Sequence, residues 1–325
     1  DFWFQPGVAK PPEVIQNFYR ECDIRYAKFP AAWPLATIET VAEMVDAISA
    51  FNMRSIIDLR CDYHEIDTPS SEVAPYEPTE RDRAFTDWCA DIIHHFQDAS
   101  WFEIWGEWQC PILTQKLLPP VRYGKWVEMI RDKCPDAFIT NGGLGLGPWK
   151  ELEMMQMVES GVLRYISAVN LHPFSFQGVP VLQSKLLDWL LCSTNHAVFS
   201  ATGKHLPILA TEWGYPSDVR AAEGVLLASG ILPYGVEPVT ENEQAMIMDA
   251  SFNVFMQYGV GPICLMSRDI SRPDRPDVMA KDNFWGFHCG IFRADLSHKP
   301  AYETVKKWAK KQPPRPTMRA GICSH

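Results

Sequence analysis

Short runs of apolar and β-branched residues alternate with longer segments of helical period along most of this chain. The runs "DIRYAKFP" (23–30) and "RSIIDLRCD" (54–62) are typical of strands. Between them, apolar residues recur three and four positions apart: Ile38, Val41, Met44, Val45 and Ile48. That spacing predicts an amphipathic helix between two strands.

The same alternation continues to the last helical segment. Five further runs are predicted to be strands: "WFEIWGE" (101–107), "DAFITNG" (136–142), "YISAVNLHPF" (165–174), "LPILATEWGY" (206–215) and "GPICLMS" (261–267). Helical segments separate them, and one opens at Thr240 with Glu243 three positions later, which is the spacing of a capping box. A final helix is predicted in "PAYETVKKWAKK".

Repeated strand–helix units predict a parallel sheet with crossover helices. A doubly wound sheet and a (β/α)₈ TIM barrel both fit, and about seven units in 325 residues favour the barrel. The eighth strand is expected near "DFWF" at the start of the chain. We therefore predict an α/β fold with one catalytic barrel over residues 1–310 and a Pro-rich tail over 311–325.

Composition narrows the classes of partner. The net charge of −10 argues against nucleic acid as a partner. No apolar run reaches the ~20 residues that cross a bilayer, so no membrane is expected. Nine scattered cysteines, none in a C-x-x-C pair, leave one or two disulfides open. "DFWFQPGVAKPP" lacks the pattern of a signal peptide, and we expect a secreted or periplasmic protein whose signal peptide is not in this chain.

Candidate chemistry lies at the carboxyl ends of the strands, where barrel enzymes place their active sites. Glu107 and Glu212 each stand alone at the end of a tryptophan-containing strand, three βα units apart. Cleavage of a glycosidic bond needs two such carboxyl groups, one to give a proton and one to attack or to activate water. Glu103 is expected deeper in the barrel, as a structural partner of a basic residue such as Arg25.

Further residues are candidates for contacting a substrate. The polar ones are Arg25, Arg60, Asp62, Asn170 and His172, and the aromatic ones are Trp108, Trp213, Tyr215 and Trp285. Aromatic faces can stack on sugar rings, but aromatic residues near a barrel mouth also serve as packing. His172 could equally be a structural histidine. A metal-dependent hydrolase would need His and Asp clusters at several strand ends, and His172 is the one histidine at such a position, so no metal is expected.

Taken in order, these motifs resemble the clan A glycoside hydrolases, which are retaining (β/α)₈ enzymes. "IWGEW" is similar to the clan's W-N-E at the fourth strand, and "ATEWGY" to its T-E-x-G at the seventh. "LHPF" stands where the clan often has His-x-Tyr, and "KPAYETVKKW" is similar to its K-P-A-Y segment. Arg25 stands where an arginine often braces the nucleophile. The resemblance covers about residues 20–308.

The resemblance implies a retaining glycoside hydrolase with Glu107 as acid/base and Glu212 as nucleophile. It would cleave β-glycosidic bonds in a neutral poly- or oligosaccharide, of β-glucan or β-mannan type, by double displacement. That mechanism needs carboxyl groups about 5–5.5 Å apart and no cofactor. We expect a mildly acidic pH optimum, because one carboxyl must be protonated while the other is ionised.

Gly106 departs from the clan pattern. The asparagine usual at this place hydrogen-bonds the sugar 2-hydroxyl, so either Asn170, Arg60 or His172 replaces it or the 2-hydroxyl points elsewhere. The alternative is a catalytically weakened barrel that acts as a carbohydrate-binding protein.

Overall fold

The computed structural model describes residues 11–61, 76–108, 118–145, 150–174, 179–217, 239–269 and 288–311. Four predictions lie outside the described residues: the strand near "DFWF", the substrate contacts Asp62 and Trp285, and nearly all of the Pro-rich tail. None of the described helices is long and apolar enough to span a membrane.

Eight strands are present among the described residues. They are β1 (Tyr26–Trp33), β2 (Arg54–Cys61), β3 (Ser100–Ile104), β4 (Ile139–Asn141), β5 (Leu144–Gly145), β6 (Val169–His172), β7 (Ile208–Trp213) and β8 (Ile263–Leu265). Each strand predicted between residues 23 and 267 is found, and most are shorter than the apolar run that predicted them.

The strands alternate with eight α-helices in the same part of the chain. They are α1 (Glu13–Glu21), α2 (Ile38–Ser49), α3 (Glu80–Phe96), α4 (Pro120–Lys133), α5 (Lys150–Glu159), α6 (Pro180–Thr202), α7 (Glu241–Tyr258) and α8 (Pro300–Ala309). The predicted capping box is confirmed at α7: Thr240 accepts from the Glu243 amide, and the Glu243 carboxylate accepts from the Thr240 amide. This helix ends at Gly259, whose φ of 64° suits a residue without a Cβ.

The chain divides into two compact units. The first comprises residues 1–11, 25–172 and 194–211, and the second comprises 12–24, 173–193 and 212–325. The first unit thus contains β1 to β6, β7 as far as Thr211, and α2 to α5. The single-domain organisation of residues 1–310 stays a prediction.

Parallel pairing orders the first unit. β1, β2, β3 and β4 are neighbours in that order, with Glu103 beside Asp58 on one side and Thr140 on the other. A parallel bridge joins Thr140 to Ala168, and β6 pairs with β5 and β7. No helix separates β4 from β5, so we regard the two as one strand of the sheet that is interrupted at residues 142–143.

The second unit contains β8 and the carboxyl end of β7. The Met266 amide donates to the carbonyl oxygen of Trp213 in β7. The Trp213 ring packs edge-on against Phe252 and Phe255 of α7. A buried Lys299 ammonium lies 2.7 Å from a carboxylate oxygen of Asp269 and fixes the loop after β8.

Candidate active site

A cluster of charged side chains lies inside the first unit. Lys28 comes from β1, Asp58 from β2, Glu103 from β3 and His172 from the end of β6. Lys28 is 6% exposed and the other three are fully buried. Charged groups at such depth are stable only when they are paired, so the contacts within the cluster define its chemistry.

Glu103 is the central anion of this cluster. Its Oε2 lies 2.7 Å from Lys28 Nζ and accepts from the Thr211 hydroxyl at 2.8 Å. Its Oε1 accepts from the Gly143 amide at 2.9 Å, in the interruption between β4 and β5. Burial alone would raise the pKa of Glu103, but its polar partners together, with the Lys28 ammonium foremost, outweigh burial and hold the pKa well below its usual range. Glu103 is therefore an ionised structural carboxylate.

Asp58 ties Arg60 to the turn after β3. Its Oδ2 accepts from Arg60 Nε at 2.6 Å and pairs with Arg60 Nη2 as well. Its Oδ1 accepts from the Gly106 amide at 2.9 Å. Because the Asp58 carboxylate holds two nitrogens of the guanidinium and 29% of the Arg60 side chain is exposed, Arg60 presents an oriented cation at the edge of the cluster.

Gly106 lies where this cluster leaves no room for a side chain. A Cβ at residue 106 would be 2.7 Å from Asp58 Oδ2 and 3.0 Å from both Arg60 Nη2 and Glu103 Oε1. The Arg60 guanidinium therefore occupies the space that an asparagine side chain would take. The glycine follows from the charge cluster and is not by itself a sign of lost activity.

The segment that carries Glu107 is a turn, so the strand predicted over residues 101–107 ends three residues earlier than expected. β3 ends at Ile104, and Trp105 and Glu107 have φ angles of 54° and 55°. The Trp105 amide donates to the Leu59 carbonyl and the Glu107 amide to the Gly143 carbonyl. Left-handed conformations cost about 1–3 kcal/mol at non-glycine residues and cluster at functional sites.

Glu107 is the partly exposed carboxylate of this region. Its side chain is 18% exposed, whereas those of Glu103 and Asp58 are fully buried. One of its oxygens, Oε1, lies 2.9 Å from His172 Nδ1. Glu107 therefore combines a fixed position with access to solvent, which is the combination that a proton donor to a substrate needs.

His172 connects Glu107 to the buried cluster. Its Nε2 lies 3.2 Å from the Thr211 hydroxyl, 3.3 Å from Lys28 Nζ and 3.4 Å from Glu103 Oε1. A Cβ at Gly143 would overlap the imidazole ring, so the glycine there is required by the position of His172. The sequence left His172 as either a substrate contact or a structural histidine, and these contacts are those of a structural histidine.

Asn170 is a buried link between strands. Its backbone amide donates to Asn141 Oδ1 at 2.8 Å, and its carbonyl accepts from Asn141 Nδ2 at 2.9 Å. Its Oδ1 accepts from the Thr211 amide at 3.2 Å. These contacts position Thr211, whose hydroxyl reaches both Glu103 and His172; the predicted substrate contact of Asn170 stays a prediction.

Comparison with solved structures decides the fold. A family 39 glycoside hydrolase from Bacteroides cellulosilyticus WH2 matches 90% of this chain with a TM-score of 0.62 and 16% identity. An endo-laminarinase from Formosa Hel1_33_131 matches 93% with a TM-score of 0.61 and 14% identity. A GH5_18 protein from Streptomyces cattleya, in complex with Manβ1-4GlcNAc, matches 97% with a TM-score of 0.64 and 13% identity. The fold is a (β/α)₈ barrel.

The likeness extends to the fold and not to the whole length of each neighbour. The chain spans 59% of the family 39 enzyme, 83% of the laminarinase and 80% of the GH5_18 protein. No protein-family model and no curated protein sequence matches the chain. Our expectation of a barrel similar to those of glycoside hydrolases is confirmed, and the doubly wound sheet is not supported.

In this barrel Lys28, and not Arg25, is the cation beside Glu103. Arg25 precedes β1 and is exposed, whereas Lys28 lies within β1 with its ammonium in the cluster. The proposed Glu103–Arg25 pair is wrong, although a basic partner for Glu103 is confirmed. The sequence did not lead us to pair Lys28 with Glu103, but one signal was available: a lysine between the apolar residues Ala27 and Phe29 must find an anion if that strand is buried.

Three of the predicted substrate-stacking aromatics are buried. Trp108 is fully buried and stacks on Tyr123, with ring centroids 4.0 Å apart. Trp213 and Tyr215 are fully buried as well. A buried ring offers no face to a sugar, so the geometry favours the packing reading for all three.

Glu212 is the second predicted catalytic carboxylate. It is half-buried in β7, directly after Thr211, and belongs to the second unit. The preceding residue, Thr211, is fixed by hydrogen bonds to Asn170 and Glu103. These bonds hold β7 in place one residue before Glu212. The role of Glu212 stays a prediction.

Proposed function

We propose that this chain is a retaining glycoside hydrolase that cleaves β-glycosidic bonds, with Glu107 as the acid/base. The observation that supports it best is the setting of Glu107. It is a partly exposed carboxylate on a left-handed turn at the carboxyl end of β3, with His172 Nδ1 on one oxygen. Its neighbours Glu103 and Asp58 are buried and paired with cations, which leaves Glu107 as the carboxylate of this cluster that can reach a substrate.

The proposed reaction has two displacements. In the first, Glu107 gives its proton to the leaving oxygen while the Glu212 carboxylate attacks the anomeric carbon. In the second, Glu107 takes a proton from the water that hydrolyses the glycosyl-enzyme. No proton is gained or lost over the cycle, so a single carboxyl group at residue 107 serves both steps.

The proposed substrate is a neutral β-linked poly- or oligosaccharide of the glucan or mannan type. The net charge of −10 disfavours a polyanionic substrate. Two structural neighbours are an endo-laminarinase and a protein bound to Manβ1-4GlcNAc, which supports this class of substrate. We further propose a secreted or periplasmic protein, a location that fits the disulfide bond of Cys192.

A panel of aryl β-glycosides and β-linked polysaccharides tests the proposal. Wild type is compared with Glu107→Ala, Glu212→Ala and the control Glu43→Ala, which changes an exposed carboxylate on α2. We expect Glu43→Ala to match wild type, Glu212→Ala to lose cleavage, and Glu107→Ala to lose about 10²–10⁴-fold in rate, the usual contribution of a general acid.

Azide separates the mechanisms. If Glu107→Ala is rescued by azide with formation of a β-glycosyl azide, the double displacement is supported, because azide needs no general base to attack the glycosyl-enzyme. If no substrate is cut and an oligosaccharide still binds, the carbohydrate-binding alternative is correct.

A further inference from the structure

The buried cluster contains a chain of contacts that ends at the proposed acid/base. Lys28 Nζ lies 3.3 Å from His172 Nε2, and His172 Nδ1 lies 2.9 Å from Glu107 Oε1. Lys28 is fixed in its turn by Glu103, whose Oε2 is 2.7 Å from the ammonium. The His172 imidazole therefore stands between a buried cation and a partly exposed carboxylate.

The partners of the two ring nitrogens differ in what they can donate. An ammonium has three protons and no acceptor, so Lys28 can only donate to Nε2. A proton on Nε2 would face the protons of Lys28 at hydrogen-bond distance. Nδ1, in contrast, faces Glu107 Oε1, a carboxyl oxygen that accepts a hydrogen bond whether or not the other oxygen, Oε2, carries a proton. Both contacts favour the same tautomer, with the proton on Nδ1.

The Thr211 hydroxyl and Glu103 Oε1 also lie near Nε2, and each takes part in another hydrogen bond. The Thr211 hydroxyl gives its proton to Glu103 Oε2 at 2.8 Å, and Glu103 Oε1 receives the Gly143 amide at 2.9 Å. Both oxygens can still accept a second hydrogen bond, so the Lys28 ammonium is the contact that argues against a proton on Nε2.

We infer that Lys28 is a positioning residue for the proposed acid/base: it fixes His172 as the Nδ1–H tautomer, which holds Glu107 Oε1 and leaves Oε2 to exchange the proton with the substrate. The effect on catalysis rests on the proposed function, in which Glu107 is the acid/base. The tautomer itself is a property of the free protein.

The tautomer is read by ¹H–¹⁵N NMR of histidine-labelled protein near neutral pH, because protonated and unprotonated ring nitrogens have distinct shifts. His172→Asn assigns the signals. Wild type is compared with Lys28→Met, with Glu103→Gln, which keeps the lysine, and with Lys204→Met, which changes an exposed lysine. Lys28→Met leaves the Glu103 carboxylate buried without its cation. The double variant Lys28→Met/Glu103→Gln therefore removes both charges, so that the loss of the Lys28 ammonium is tested without an unpaired charge in the interior.

We expect the Nδ1–H tautomer in wild type, Glu103→Gln and Lys204→Met, and a mixture of tautomers in both proteins without Lys28. In hydrolysis, loss of Lys28 should lower kcat on the order of 10–100-fold, the effect usual for partners that fix a histidine tautomer. KM should change little, because Lys28 is buried and does not reach the substrate.

Two results would overturn the inference. One is an Nε2–H or doubly protonated His172 in wild type, and the other is an unchanged tautomer and kcat in both proteins without Lys28. If the tautomer depends on Lys28 but no form of the chain cleaves any glycoside, the proposed function fails and the role in positioning an acid/base fails with it, while the assignment of the tautomer stands.

Discussion

Lys28 Nζ and Glu103 Oε2 form a buried ion pair 2.7 Å apart that joins β1 to β3. Both side chains are almost completely removed from solvent, and Asp58 Oδ2 lies 3.4 Å from the same ammonium. Removing one member leaves an uncompensated charge in the interior, which typically costs about 3–5 kcal/mol. The first unit is therefore expected to tolerate the loss of both charges better than the loss of one.

The pKa of Glu103 predicts how stability responds to acid. The pKa is lower in the folded protein than the ~4.3 of an exposed glutamate, so the folded state binds fewer protons than the unfolded state near that pH. The resulting stability is fully present above about pH 4–5 and is lost as the pH falls toward the folded pKa. Glu103→Gln should remove this component.

Urea unfolding at a series of pH values from 7 to 3 measures the stability that the ionised Glu103 contributes. We expect Glu103→Gln to be less stable than wild type at pH 7 by about 3–5 kcal/mol and to lose less stability than wild type between pH 5 and 3. Lys28→Met/Glu103→Gln should recover part of the loss at pH 7. Parallel curves for wild type and Glu103→Gln would contradict the ionised, buried Glu103.

Gly106→Ala tests the crowding around the turn. The new Cβ would lie 2.7 Å from Asp58 Oδ2, so the Asp58–Arg60 pair or the turn must shift. We expect a loss of about 1–3 kcal/mol in the free energy of unfolding, as for other overpacked sites. Activity should fall as well, since Glu107 is the next residue. A crystal structure of the variant with an unmoved Asp58 and wild-type stability would show that the space is not restricted.

Arg60→Met tests the predicted contact with substrate. Arg60 is partly exposed and is oriented by Asp58 over Gly106, one residue from Glu107. A hydrogen bond from a charged donor contributes about 1.5–3 kcal/mol, so KM should rise by roughly tenfold or more. The exposed Arg54→Met, at the opposite end of β2, serves as the control. Unchanged kinetics in Arg60→Met would assign Arg60 to stability alone.

Trp108→Ala separates packing from sugar stacking. Trp108 is fully buried on Tyr123, and the Tyr123 hydroxyl bonds both the Ile104 carbonyl and the Gly142 amide. We expect a loss of about 3–5 kcal/mol in stability, the usual cost of removing a buried tryptophan. Trp108→Phe, which keeps an aromatic ring on Tyr123, should retain most of the stability and an unchanged KM. A raised KM in stable Trp108→Phe would restore the stacking role.

The sequence by itself determined the architecture. Apolar period and length predicted the alternation of strands and helices, because burial of one face depends on local spacing alone. The capping box at Thr240 followed from two residues in one turn. The candidates Glu107 and His172 also followed from their places after apolar strands, since parallel strands bring their carboxyl ends to one side of the barrel.

The tertiary structure alone decided the contacts within the cluster. The partner of Glu103 is Lys28, which lies 75 positions earlier in the chain; its place between Ala27 and Phe29 indicates that Lys28 needs an anion but not which one. The left-handed turn at Trp105 and Glu107 is stabilised by the carbonyls of Leu59 and Gly143, which come from other strands. Gly106 is explained by Asp58 and Arg60 in the same way. Pairing of buried charges depends on distances between strands, and those distances exist only once the sheet has formed.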